Sequence, residues 1–153
     1  MFLSAPSPLD FWDHYFSGTP KAIIALITVL ADDVPSMVSF YRDVLGFKVE
    51  NNLGEYVEFA HQGVRFAICA RSVMAEATGS STFDAPRKGQ SFELAFPCDS
   101  PEAVDASYAS IVVNGAIPIK APANMPWGQR TAFFADPEGN IHELFAELPP
   151  ANT

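Results

Sequence analysis

The side chains of this chain best suited to hold a metal ion or attack a substrate are three histidines, His14, His61 and His142, and two cysteines, Cys69 and Cys98. Imidazole and thiolate are common ligands of zinc, iron and nickel, and common partners in nucleophilic catalysis. None of the five sits in a pattern that would make it either. His142 alternates with Glu143 along an apolar run, so a regular strand turns the two to opposite faces. His61 belongs to a His61-Gln62-Gly63 turn, where an exposed polar residue is expected. His14 lies in an aromatic N-terminal stretch and reaches a site only by folding over it. Cys69 and Cys98 lie in apolar, strand-like runs, where a small buried hydrophobe is the commoner role, and they read as free thiols. The Asp136-Pro137-Glu138-Gly139-Asn140 string lacks the acid spacing of a calcium loop, and its proline and glycine explain it as a tight turn. There is no phosphate-cradling glycine loop, and no Ser or Cys in a nucleophile motif.

The elements that position these residues follow from periodicity. Residues 1–20 read as an appendage: Ser7-Pro8-Leu9-Asp10 starts a short helix carrying Phe11, Trp12, Tyr15 and Phe16, and Gly18 with Pro20 stops it. Such an aromatic segment has to pack on the domain or on a second subunit. The run from Ala22 reads as a buried strand. Asp33 then opens a helix with Val34, Met37, Val38, Tyr41, Val44 and Leu45 at helical spacing, ended by Gly46. Tyr56 to Ala60 and Val64 to Ala70 form a hairpin. Residues 71–90, rich in Ser, Thr, Gly and Ala, read as a linker or mobile loop. Beyond them the grammar repeats, with a strand from Phe92 to Cys98, a helix from Pro101 to Val113, and strands from Arg130 to Ala135 and Ile141 to Ala146. An offset of 67 residues aligns Tyr41 with Tyr108 and an offset of 76 aligns Gly63 with Gly139. A longer connection, Ile117 to Gln129, absorbs the drift. The expectation is one domain over 21–148: a module of about 21–70, the linker, and a duplicate of about 91–148, each a strand, a helix and three strands, with a tail at 149–153.

With 153 residues, 48% of them hydrophobic and 18% charged, the chain holds one packed core and is too apolar for disorder. Its net charge of −9 repels nucleic-acid phosphates and anionic lipid head groups. The longest apolar run, Ala22 to Ala31, is half a membrane span, so the expectations are no nucleic-acid partner, no membrane partner and a cytoplasmic location.

Phe40-Tyr41-Arg42-Asp43-Val44-Leu45-Gly46-Phe47 resembles the signature that ends the first helix of the glyoxalase, bleomycin-resistance and dioxygenase superfamily, the vicinal oxygen chelate fold. Pro126-Trp127-Gly128, the Asp136 to Asn140 turn and Glu143-Leu144 resemble its second-half signature. The resemblance spans roughly Ala22 to Leu148. It implies an α+β fold of two βαβββ modules whose curved mixed sheets carry helices on the convex face. In metal-dependent members four ligands come from the first and last strands of each module. The corresponding positions here are Leu26, Ala67, Glu93 and Glu143, of which two have no donor atom. The resemblance therefore implies the fold without the usual metal site, and no cofactor is expected.

Strand alternation puts Arg65, Ala67 and Cys69 on one concave face, Glu93 with Ala95, and Ile141 with Glu143 and Phe145. The expected ligand-binding residues are Glu93 and Glu143 as acids on an apolar floor, Trp127, Tyr56 and Phe145 as flat walls, and Arg65 beside them. A competing expectation pairs the two acids with Arg65 or Arg130 to hold the half-barrels together. The leading functional expectation is a protein of the bleomycin-resistance type that binds an aromatic, cationic, antibiotic-like small molecule. Two alternatives stay open: a metal-dependent lyase or isomerase of the glyoxalase type using Glu93 and Glu143, and a module that serves only interaction. Family members often build composite grooves as dimers, so a homodimer is expected.

Overall fold

The computed structural model describes residues 23–150. The aromatic appendage anticipated at Phe11 to Phe16 lies outside them. Two four-stranded sheets share one topology. In the first, β1 (Leu26–Ala31), β2 (Val49–Asn52), β3 (Tyr56–Phe59) and β4 (Arg65–Ala70) lie in the order β1-β4-β3-β2. In the second, β5 (Ala95–Pro97), β6 (Ile117–Asn124), β7 (Gln129–Ala135) and β8 (Ile141–Glu147) lie in the order β5-β8-β7-β6. In each sheet the first strand pairs in parallel with the last, and the other pairings are antiparallel. The expected α+β duplication is present, register included: Thr28 pairs with Ala67, and Ala95 with Glu143, which are the 67- and 76-residue offsets of the sequence.

Helix α1 (Val34–Ser39) starts where Asp33 accepts the Ser36 N–H at 3.0 Å. It widens into a π-helical turn, Phe40–Val44, at which two consecutive aromatic residues, Phe40 and Tyr41, are both buried. Gly46, at φ +81°, then turns the chain into Phe47. Helix α2 (Arg71–Thr78) occupies the segment expected to be a loop. Over 71–78 the sequence is a good helix former, and Gly79 at φ +68° caps it; the Ser, Thr and Gly that suggested a loop cluster after this point. Arg71 anchors the rest of the connection by donating to the carbonyls of Phe83 at 3.1 Å and Ala85 at 3.3 Å. Helix α3 (Pro101–Val113) has the expected bounds, with Ser100 accepting the Ala103 N–H at 3.1 Å. Residues Ile117 to Asn124, expected as a connection, form strand β6. Pro118 and Pro122 hid it: proline disfavours a central strand but is tolerated at an edge, which is where β6 lies, with two breaks in register. Strand β5 is shorter than expected, although Glu143 N–H to the Leu94 carbonyl at 2.9 Å extends the ladder by one bond.

One apolar core joins both modules. Phe47 meets Phe66 at 5.4 Å and Phe96 at 5.9 Å between ring centroids, and Phe40 meets Phe134 at 6.4 Å. At its centre is a fully buried polar cluster of Tyr41, Asp136, Asn140 and His142. The Leu94 N–H donates to His142 Nδ1 at 3.3 Å, which assigns the ring proton to Nε2, 2.8 Å from the Tyr41 hydroxyl. Tyr41 in turn donates to Asp136 Oδ2 at 3.0 Å, and Asn140 Nδ2 donates to the same oxygen at 2.6 Å. Burial drives the Asp136 carboxyl upward, but the hydrogen bonds from His142, Asn140 and Tyr41 outweigh it and leave its pKa below the ordinary value. Tyr41 is pushed far the other way, by burial first and by the Asp136 charge second.

Because the folded Asp136 pKa is depressed, its stabilisation is fully present above the unfolded value of about 3.9 and is lost as pH falls through the folded one. Tyr41→Phe removes one donor to a buried carboxylate and should cost about 1–3 kcal/mol at neutral pH. Urea unfolding across a pH series should show that deficit narrowing below about pH 4, where Asp136 becomes protonated in the parent as well.

Candidate functional site

Alternation sorts each sheet into a core face and a face turned away from the helices. On the first sheet Val29, Val57, Phe59, Phe66 and Ile68 enter the core, which leaves Thr28, Tyr56, Glu58, Arg65, Ala67 and Cys69 on the outward face. On the second, Ala132, Phe134, Leu144 and Ala146 enter the core, which leaves Ala95, Thr131, Phe133, Ile141, Glu143 and Phe145 outward.

The first outward face is organised around an ion pair absent from the sequence reading. Arg65 Nε and Nη2 grip the two carboxylate oxygens of Glu58 at 2.6 and 2.7 Å, and the Tyr56 hydroxyl donates to Glu58 Oε2 at 3.0 Å. Glu58 is nearly covered, with 10% of its side chain exposed, whereas Arg65 keeps 49%. The hydrogen bonds from Arg65 overcome the cost of burial and, with Tyr56, hold the Glu58 carboxyl at about 2. Glu50, Glu58 and His61 bring ligand atoms within 4.8 Å of one another, but Arg65 already supplies Glu58 with the positive charge an ion would bring.

On the second outward face Glu143 stands between Ile141 and Phe145 along β8, with Phe133 across from it on β7. Glu93, just before β5, lies near enough for its charge to act on Glu143. Burial first and the Glu93 charge second raise the Glu143 pKa. Glu93 and Glu143 thus lie close enough for the charge of one to act on the other, and the two arginines expected as alternative partners pair elsewhere. Arg65 is held by Glu58, and Arg130 donates to Asp105 at 2.6 Å. Among the described residues no cation forms an ion pair with Glu93 or Glu143. Thr131, opposite Phe145 on the same face, is fully buried and its Oγ1 has no hydrogen-bond partner.

The remaining candidates are dispersed. Tyr56 and Arg65 belong to the first face with Glu58 rather than to the acid pair. Trp127 lies in the turn between β6 and β7, 62% exposed, with its indole N–H on Gln129 Oε1 at 3.1 Å. Gln129 pairs with Glu147, four residues along β8 from Glu143, or roughly 13 Å at strand spacing. His142 points into the core, as alternation requires, and both cysteines are free. Glu58 and Thr131 went unnoticed, although the alternation of Tyr56-Val57-Glu58-Phe59 already places Glu58 beside Tyr56.

The four positions at which the family resemblance places metal ligands, Leu26, Ala67, Glu93 and Glu143, offer a poor donor set. Leu26 and Ala67 present only C–H groups, and two carboxylates without imidazole or thiolate are a poor set for zinc, iron or nickel.

The glyoxalase-like domain family matches residues 24–148. The chain belongs to this family. A Bacillus subtilis relative, the uncharacterized protein YraH, is 31% identical over 127 residues, which cover 80% of this chain and 96% of YraH. A glyoxalase/bleomycin resistance protein/dioxygenase from Nocardioides superposes with a TM-score of 0.77 at 22% identity, over 95% of this chain and 97% of that one. A family enzyme from Burkholderia phytofirmans superposes with a TM-score of 0.76 at 25% identity, over 83% and 100%. No helix among the described residues is long and apolar enough to cross a membrane.

A carboxyl group whose folded pKa is raised destabilises the fold above that pKa, and the penalty vanishes as pH falls below the unfolded value. Glu143→Gln should therefore raise the thermal midpoint at pH 7 and leave it unchanged near pH 3, as scanning calorimetry at the two values would show.

Proposed function

We propose that this glyoxalase-like protein binds a small aromatic molecule bearing a positive charge on the outward face of its second sheet, in the manner of the bleomycin-resistance branch and without a metal. The observation that carries this reading is the Glu93 and Glu143 pair: two carboxylates close together, at least one of them partly desolvated, with no protein cation to neutralise them among the described residues. A ligand cation placed between them removes the repulsion that raises the Glu143 pKa. Phe133 and Phe145 supply flat apolar surface beside the charge, and a cation against an aromatic face gains further. The unpartnered Thr131 hydroxyl offers one more polar contact. The protein-wide charge of −9 adds long-range attraction for cations.

The outward face ends at Ile117, which sits beside Ala135 with 45% of its surface exposed. A second copy of the chain laid against this edge would cover that apolar surface, and we propose a homodimer on this ground. Sedimentation should give twice the 16.6 kDa chain mass, and a mass equal to one chain at micromolar concentration refutes the dimer.

Binding is tested with a panel of aromatic cationic antibiotics in a thermal-shift assay, since a ligand at one hundred times its Kd stabilises the fold by about 2.7 kcal/mol. Affinity should fall with added salt, and fall again as pH drops through the raised Glu143 pKa. Glu143→Gln should cost roughly 1.5–3 kcal/mol of binding. Trp127→Ala probes the exposed turn, where any loss should be independent of salt. If Glu143→Gln leaves every affinity untouched, the acids are structural and this reading fails.

A further inference from the structure

The connection between the modules runs beside the start of β8 before it becomes β5, and a side chain holds it there where a strand would use its backbone. Gln90 faces Ile141 with both ends of its amide: Nε2 donates to the Ile141 carbonyl at 3.1 Å, and Oε1 accepts the Ile141 N–H at 3.1 Å. A residue of a neighbouring antiparallel strand satisfies a backbone in this two-bond fashion, and a glutamine amide carries the same donor and acceptor. Gln90 Nε2 also donates to the Phe92 carbonyl, which folds the segment back on itself. Further on, the Leu94 N–H donates to His142 Nδ1 at 3.3 Å, and the Leu94 carbonyl accepts the Glu143 N–H at 2.9 Å.

Between these two anchors the chains advance unequally. The connection moves from Gln90 to Leu94 while β8 moves only from Ile141 to His142 and Glu143. The surplus is Ser91, Phe92 and Glu93, none of which has a register partner on β8, since the pairing begins at Ala95. Phe92 and Leu94 turn inward, Phe92 with its ring centroid 6.1 Å from that of His142 and Leu94 against the core. Glu93, between them, is exposed and turned to the side that carries Glu143. No ladder bond of its own keeps it there, and the like charge of Glu143 drives it away. Its place therefore depends on the anchors on either side. Leu94 is fixed by the core, whereas Gln90 is exposed and is the anchor free to let go.

We propose that Gln90 is a positioning residue, a latch whose amide grip on Ile141 holds Glu93 against Glu143 and whose release parts the two acids. Its consequence for recognition rests on the cation-binding reading above: the site presents two carboxylates with the latch closed and one with it open. A cation between the acids favours the closed latch by removing their repulsion, and the closed latch favours the cation by the same factor. The latch itself is tested without any ligand. The Glu143 carboxyl is titrated by NMR in the native chain, in Gln90→Met, in Glu93→Gln and in the double variant. Methionine keeps the length of the side chain and loses every hydrogen bond, at an exposed position where the core is untouched. Gln90→Ala is the second variant, with the same expected outcome. Gln90→Met and Glu93→Gln should each lower the Glu143 pKa, which the Glu93 charge helps to raise, and the double variant should lower it no further than Glu93→Gln alone. Hydrogen exchange of the Ile141 amide should be roughly fivefold faster in Gln90→Met, the effect of one lost hydrogen bond, with the Ile68 amide of the first sheet unchanged. A Glu143 pKa untouched by Gln90→Met, a fall as large in the Glu93→Gln background as in the native one, or unchanged Ile141 exchange overturns the latch. Such a result leaves cation binding at Glu143 standing, whereas ligand affinities untouched by Glu143→Gln end that reading and leave the latch intact.

Discussion

A carboxylate shut away from water must find its hydrogen bonds in the protein, and the architecture of this chain is arranged so that Asp136 finds five. They come from the Tyr41 hydroxyl, the His142 ring, the Asn140 side chain and the backbone N–H groups of Glu138 and Asn140. Tyr41 belongs to the first module and the others to the second, so satisfying one charge fixes how the modules meet. The same short turn reaches further. The Glu138 carboxylate accepts the Asp32 and Asp33 N–H groups at 2.9 and 3.0 Å, at the start of α1, where negative charge is favoured. Asn140 accepts a hydrogen bond from Arg87, which ties down the connection between modules. Five residues of turn thus bind both modules and the segment that joins them.

The duplication is a second constraint. In both modules the parallel pairing of first and last strands leaves the adjoining antiparallel hairpin to complete the sheet, and the two matched pairs, Thr28 with Ala67 and Ala95 with Glu143, occupy equivalent places. Equivalent backbone does not carry equivalent chemistry. The first module buries an alanine where the second holds a partly covered acid, and the first face instead concentrates its charge in the Arg65 and Glu58 pair. One face is internally neutralised and the other is not, which is why the proposed cationic ligand is assigned to the second of them.

The legible parts of the sequence were those in which one local rule decided the outcome. Helix α3 carries an N-cap serine, a proline in its first turn and a glycine beyond its end, and its bounds were read without error. The alternation that turned His142 away from Glu143 was equally local. What escaped reading needed a partner distant in sequence. Strand β6 exists because β7 pairs with it despite two prolines, and the Glu58 to Arg65 grip requires the hairpin to close first. The Asp136 turn was recognised as a turn, but its role as a hub depends on Tyr41, 95 residues away.

Strand β8 shows why such a fold can keep its architecture while its chemistry changes. Its even-numbered side chains, His142, Leu144 and Ala146, are buried in the core, and one of them completes the Asp136 network. Its odd-numbered side chains, Ile141, Glu143 and Phe145, face the other way and touch none of that network. Loss of a metal ligand on the outward face therefore costs the core nothing, whereas loss of an inward donor strands a buried charge. Selection on ligand chemistry can act on one parity of the strand and selection on folding on the other. This separation explains how Leu26 and Ala67 can stand at the positions where the resemblance places ligands while the inward-facing residues of the same sheets still build one core.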